Sequence, residues 1–212
     1  MVDEDERVHM APQFLYNNRE TYPSVGWNGR GLMSFLLKSG VCFEETFPYN
    51  SKSDDEQQKT GAIKRGDQIE AATWKEAANN KIASYALVEY VPFDNSGNEY
   101  RLKKSLMNNG PAYIAFPVYT GAGATFWRVK NNDGSERVFR GGHAVTVVGW
   151  NSDGFIIRNS WGDKWNGNGY VTYPYADFFA GCHWELWTCV DDESGVLKWR
   201  KENKTAKCCN VM

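Results

Sequence analysis

The run from Gly141 to Tyr170 narrows the choice of fold more than any other part of the chain. It begins Gly-Gly-His-Ala-Val-Thr-Val-Val-Gly-Trp and, after Asn151-Ser152-Asp153, continues Gly-Phe-Ile-Ile-Arg-Asn-Ser-Trp-Gly. Val145, Val147, Val148, Phe155, Ile156 and Ile157 are strand formers with almost no polar interruption, which predicts a β-hairpin covered on both faces. Ser152-Asp153-Gly154 suits a three-residue loop closed by a left-handed Gly, and such a loop pairs Asn151 with Phe155. In that register residues of like parity share a face, so His143 and Asn159 point the same way. A two- or four-residue loop would set them on opposite faces. His143 would pair with Asp163, about four residues or roughly 13 Å beyond Asn159 at ~3.3 Å per residue. Contact between the two therefore calls for a bulge or strong coiling.

An imidazole held by an asparagine amide is the base-plus-orienter half of a Cys-His-Asn site. Gly142-His143-Ala144-Val145, then Arg158-Asn159-Ser160-Trp161-Gly162, Trp165 and Gly167-Asn168-Gly169-Tyr170 resemble the His and Asn blocks of papain-like (cathepsin-type) cysteine peptidases. Order, spacing and residue types agree over about thirty positions. The resemblance implies an α+β, two-lobed papain-like fold, with a helical left lobe and an antiparallel β-barrel-like right lobe. It implies His143 as general base and acid, Asn159 as its orienter and Trp161 as a cover that keeps water from the pair. Upstream, Phe14-Leu15-Tyr16, Asn28-Gly29-Arg30-Gly31, Gly40-Val41-Cys42 and Phe47-Pro48-Tyr49 resemble, in order, the segments after the nucleophile helix of such enzymes. Gly29, Gly31 and Gly142 match positions whose backbone meets an extended substrate there. Arg30 intervenes between the first two, and Trp27 stands where many relatives have a disulfide cysteine.

The nucleophile does not have a place in this reading. In the family it lies ~130–150 residues before the His, which here means between about residue 13 and seven residues before Met1. Residues 1–13 contain no cysteine. The oxyanion-hole glutamine, just upstream of the nucleophile in the family, is missing with it. Cys42 follows a helix-ending glycine without the family's approach sequence, and is expected to be a small buried hydrophobe. The left lobe, residues 1–110, is thus expected to lack its central helix; residues 111–195 form the β-rich lobe, and 196–212 a basic tail. Three explanations stand: a fragment of a longer peptidase, inactive alone; a pseudopeptidase that binds peptides or partners; or a separate segment that carries the nucleophile.

The rest of the chain reads as helices over 11–22, 32–37, part of 71–83 and 99–107. A glycine-marked loop covers 26–31, a polar loop 50–70 and a long surface connection 121–140. Strands are expected over 87–91 and 113–118. A net charge of −2 gives no pull toward nucleic acid or anionic membrane. The acidic start carries no apolar segment behind it, and no run reaches the ~18 apolar residues of a membrane span. No cofactor is called for. Cys182, His183 and Cys189 offer three zinc-type ligands without a fourth, so no metal site is assigned. Cys209-Asn210-Val211-Met212 fits a prenylation box, with Cys208 a palmitoylation candidate and Lys198, Arg200, Lys201, Lys204 and Lys207 a basic flank. The expected partner is a peptide or protein substrate, with a membrane only if the C-terminus is lipidated. The compartment follows from that: cytoplasmic or membrane-associated if prenylated, lysosomal or secreted if a longer N-terminus exists.

Overall fold

A computed structural model describes residues 8–24, 26–50, 63–88, 95–121 and 123–191. The polar stretch 51–62 and the lipidation candidates Cys208 and Cys209 lie outside the described residues. The described chain falls into two compact units, one of residues up to Ser84 with Val190 and Asp191, the other of Tyr85–Cys189.

In the first unit, helix α1 (Pro12–Asn17) starts with proline at its first position, where no N–H is needed. It ends five residues short of the expected 22, because Asn18 and Arg19 turn back onto carbonyls of the same helix. Helix α2 (Gly29–Lys38) is capped by Asn28, whose side chain accepts the Gly31 N–H at 2.7 Å. The glycine-marked loop therefore ends at Asn28 rather than Gly31. After Ser39, Gly40 takes φ +75°, and a Cβ there would run into the Ala77 carbonyl of helix α3 (Ala71–Ala77). Phe14, fully buried, meets Phe35, Phe47 and Trp74 edge-on at 4.9–6.0 Å and forms the centre of this small core.

Strand β1 (Ile82–Leu87) starts five residues before the expected strand at 87–91. Helix α4 (Asn95–Asn109) follows, and Gly110-Pro111 ends it. Strands β2 (Ala112–Tyr119), β3 (Phe139–Trp150), β4 (Gly154–Arg158), β5 (Tyr170–Pro174) and β6 (Glu185–Asp191) follow, with the short helix α5 (Tyr175–Phe179) between the last two. The six strands make one sheet in the order β1-β6-β2-β3-β4-β5, antiparallel at the four pairings from β6 to β5. The sheet is not closed, so the barrel-like expectation is corrected to an open sheet with β1 and β5 as its outer strands among the described residues. The class is α+β, as expected.

The hairpin is built differently from its expectation. Asn151 donates its N–H to the Gly154 carbonyl, and its side-chain oxygen accepts the N–H groups of Asp153 and Gly154. The tip is therefore the two residues Ser152-Asp153, tightened by an Asx-type turn. Gly154 is not left-handed; it is required because a Cβ would sit against the Tyr173 carbonyl carbon at 2.7 Å, with the oxygen nearer still. The register then slips by one between Val147 and Gly149, which leaves Val148 unpaired as a bulge. Beyond it Val147 pairs with Ile157 and Thr146 with Arg158, which restores like parity on one face. Only one face is sealed: Val145, Val147, Phe155 and Ile157 are buried, whereas Val148 is exposed and Ile156 half-buried.

The segment 121–140 is also corrected. Instead of running only over the surface, it plugs Phe126 and Trp127 into the core, both essentially inaccessible. The Trp127 indole N–H donates to Asp177 Oδ2 at 2.7 Å, and Arg128 Nε donates to the same oxygen at 2.8 Å. Asp177→Ala would orphan the buried indole donor and is expected to cost about 2 kcal/mol in urea unfolding. A change below ~0.5 kcal/mol would mean that water replaces the carboxylate there. Gly154→Ala is expected to cost about 3 kcal/mol, because the obstructing atoms are backbone of β5. An unfolding midpoint equal to that of the parent would contradict the close approach.

Candidate active site

His143 and Asn159 meet on one face of the hairpin. His143 lies on β3, paired with Phe116 of β2, and Asn159 is the first residue after β4. Carried three positions beyond Thr146↔Arg158, the register sets Trp161 opposite His143. Asn159 is then the diagonal neighbour, about 7–8 Å away between backbones, which a histidine and an asparagine span together. His143 Nε2 stands 2.8 Å from Asn159 Oδ1. The Ser160 N–H donates to the same Oδ1 at 2.7 Å. A backbone N–H can only donate, so that atom is the amide oxygen, and Nε2 must carry the hydrogen. The neutral imidazole is thereby fixed as the tautomer with a lone pair on Nδ1. Among the described residues Nδ1 has no hydrogen-bond partner.

Aromatic rings hold the imidazole in place. Trp161 stacks on it at 4.7 Å and 21°, and Phe126 stands edge-on at 5.7 Å. Phe126 also touches Trp161 at 5.3 Å, and Trp165 closes on Trp161 at 5.6 Å. Phe126 was missed by sequence reasoning. Its signal was an apolar pair, Phe126-Trp127, inside an otherwise glycine- and charge-rich stretch. Asn159 is buried, and its Nδ2 has no partner among the described residues, so the amide is kept for its oxygen at the expense of one donor.

Burial is the main cause that lowers the His143 pKa from 6.5, and the Asn159 hydrogen bond opposes it more weakly. A depressed value means that the folded state prefers neutral imidazole. The unfolded chain then takes up its proton first, so this site's contribution to stability is complete above pH ~6.5 and is lost as pH falls through the folded value. In a titration followed by NMR, the His143 midpoint is expected below that of an exposed histidine, and a midpoint above 6.5 would contradict it.

The other sequence candidates lie elsewhere. Cys42 is fully buried in the first unit, and its thiol is pushed up to about 12, first by burial and then by Glu76. Such a thiol is not a nucleophile at neutral pH. Gly29 and Gly31 occupy the first turn of α2, with the Gly31 N–H already taken by Asn28. Gly142 precedes His143 on β3 and lies under the Trp184 ring. Cys182 is half-buried with its pKa raised by burial and by Asp177, and His183 is buried with its Nδ1 3.0 Å from the Tyr173 hydroxyl. Among the described residues no group of three or more His, Cys, Asp and Glu is placed to hold a metal.

The site thus pairs an imidazole with a carboxamide oxygen on one face of an open sheet. Residues 17–183 match the family described as papain family cysteine protease, and the chain belongs to that family. It is 29% identical over 170 residues to an uncharacterized peptidase C1-like protein of Acanthamoeba polyphaga mimivirus, covering 76% of this chain and 51% of that one. Cysteine proteinase 3 of Dictyostelium discoideum is 28% identical over 181 residues, 77% of this chain and 45% of its own. Among solved structures, xylellain, a cysteine protease from Xylella fastidiosa, superposes with a TM-score of 0.65 at 24% identity over 85% of this chain and 69% of its own. The chain spans about half the length of the curated relatives it matches.

Proposed function

We propose that this chain supplies the base and the orienting amide of a peptidase that cleaves peptide bonds through a cysteine acyl-enzyme. The observation that carries this reading is the His143 Nε2 to Asn159 Oδ1 contact of 2.8 Å, with Nδ1 unpartnered among the described residues. A thiol presented to Nδ1 would pass its proton to that nitrogen, and the resulting thiolate would attack the peptide carbonyl, the carbon–sulfur bond forming as the carbonyl electrons move to oxygen. The imidazolium then gives its Nδ1 proton to the departing amine, which leaves the acyl thioester. Water, deprotonated at Nδ1, attacks the thioester and returns the thiolate and a free carboxylic acid. Asn159 keeps Nε2 protonated throughout, and Trp161 keeps water off that hydrogen bond.

Substrate main chain has a place to lie beside the imidazole. The β3–β4 ladder stops at Thr146↔Arg158, so Gly142 and Ala144 have no strand residue opposite them on that side. An extended peptide adds to such an edge through backbone hydrogen bonds.

The thiolate is proposed to come from sequence outside these 212 residues, since Cys42 is a buried core thiol and the remaining cysteines follow His143. The test is turnover of fluorogenic peptides with and without the coding sequence upstream of Met1. The 212-residue chain is expected to show no hydrolysis that a thiol-alkylating reagent abolishes, and the extended form is expected to show it. Alkylation-sensitive turnover by the 212 residues alone would place the nucleophile within them.

A further inference from the structure

The ring that stands edge-on to the imidazole is carried by a segment with no strand or helix of its own. Phe126 belongs to the turn at 124–127, between β2 and β3. Its place against His143 therefore depends on a few separate ties rather than on a ladder of main-chain bonds. Two of them act on the main chain. The Tyr119 N–H donates to the Phe126 carbonyl at 3.0 Å, and Arg137 Nη1 donates to the Thr125 carbonyl at 2.8 Å.

The third tie acts on side chains. Asp177 Oδ2 accepts the Trp127 indole N–H at 2.7 Å and Arg128 Nε at 2.8 Å. These donors are on consecutive residues, so one carboxylate oxygen fixes both side chains that follow Phe126. The Trp127 side chain is inaccessible to water, and an N–H bonded to a carboxylate there makes the stronger, charge-assisted kind of hydrogen bond.

Direct packing carries the position of Trp127 on to the imidazole. Its ring meets Phe126 at 4.9 Å and 77°, and Phe126 in turn touches His143 at 5.7 Å and Trp161 at 5.3 Å. Interiors packed this closely pass small shifts along rather than absorb them. Helix α5 has anchors besides the carboxylate. The Asp177 main-chain carbonyl accepts the Tyr173 hydroxyl at 3.1 Å and the Cys182 N–H at 3.2 Å, and a change of side chain removes neither bond.

Resting on the peptidase reading, we infer that Asp177 is a positioning residue for that reaction: through Trp127 it holds Phe126 against the imidazole, which keeps His143 turned to Asn159 with Nδ1 facing one way.

NMR on the 212-residue chain tests this without turnover. It reads the contact between Phe126 and His143 ring protons, and the His143 titration midpoint. In Asp177→Ala the contact is expected to weaken and the midpoint to rise toward 6.5, because burial is what lowers it. Loss of a negative charge alone would move the midpoint down, so the sign separates lost packing from lost charge. Asp177→Asn keeps an oxygen for the indole N–H and is expected to stay close to the parent in both readouts. Trp127→Phe keeps a ring and deletes the donor; it should reproduce Asp177→Ala, and the double variant should add nothing further. Ring readouts that match the parent in Asp177→Ala or in Trp127→Phe would leave the carboxylate a stabilising contact only and overturn the inference. So would an Asp177→Asn variant that behaves as Asp177→Ala does. In the extended form Asp177→Ala is expected to lower kcat/KM about tenfold, the cost of a slightly misplaced base. An extended parent without turnover would sink the peptidase reading, while the ring readouts would still decide whether Asp177 holds the imidazole.

Discussion

Replacing His143 by Ala in a form of the protein that carries its nucleophile is expected to lower kcat/KM by at least about 10³-fold. The imidazole would hold the attacking thiol as thiolate, protonate the leaving amine and deprotonate the water, so its loss removes three proton transfers at once. Asn159→Ala is expected to cost less, about 10–100-fold. The imidazole would remain between Trp161 and Phe126 but would be free to turn over or change tautomer. Rates should be normalised to the fraction of reactive thiol, which separates lost chemistry from lost folding. Unchanged turnover in His143→Ala would remove this residue from its proposed role, whatever Asn159 did. A nearby thiolate should also raise the His143 midpoint, because an anion at Nδ1 opposes the lowering that burial imposes. The extended form is therefore expected to titrate at higher pH than the 212-residue chain.

Phe116→Ala is expected to be the most damaging single change in the second unit, at about 4 kcal/mol. Phe116 is fully buried and packs against Tyr173 at 4.9 Å, Trp127 at 5.4 Å and Phe126 at 5.6 Å. These rings are large and stiff, and the strands behind them are fixed by ladders, so the cavity will not collapse. Phe116 also sits on the residue pair that positions His143, so the imidazole should lose its defined environment along with the stability. Urea unfolding gives the energy, and the His143 ring signals give the local effect. A loss below ~1.5 kcal/mol would mean that the aromatic cluster repacks.

Much of the sheet was legible, for reasons that differ along the chain. β2 and the helix before it announced themselves by the apolar run 113–118 and by Asn109-Gly110-Pro111. β1 was placed five residues late because Ile82-Ala83-Ser84-Tyr85 shows no clean apolar-polar alternation, and Ile82 alone in the strand is buried. The hairpin shows two departures that cancel. Its tip is one residue shorter than expected, which alone would have put His143 and Asn159 on opposite faces. The Val148 bulge shifts the register once more and returns them to the same face. A single sequence shows neither: Val148 has the same residue type as its neighbours, and the turn is set by the Asn151 side chain. Phe126 was hidden for another reason. A lone aromatic in a polar connection gives no period, so its place against the imidazole depends on how the 121–138 segment folds back.

An open sheet must deal with exposed main-chain donors, a difficulty that a closed one does not have. β5 is the outer strand beside β4; it is only five residues long, and its final residue, Pro174, has no hydrogen on nitrogen. Helix α5 begins at the next residue and turns the chain away. A short rim ending in proline gives a second molecule little to add to, which guards against self-association into ordered aggregates.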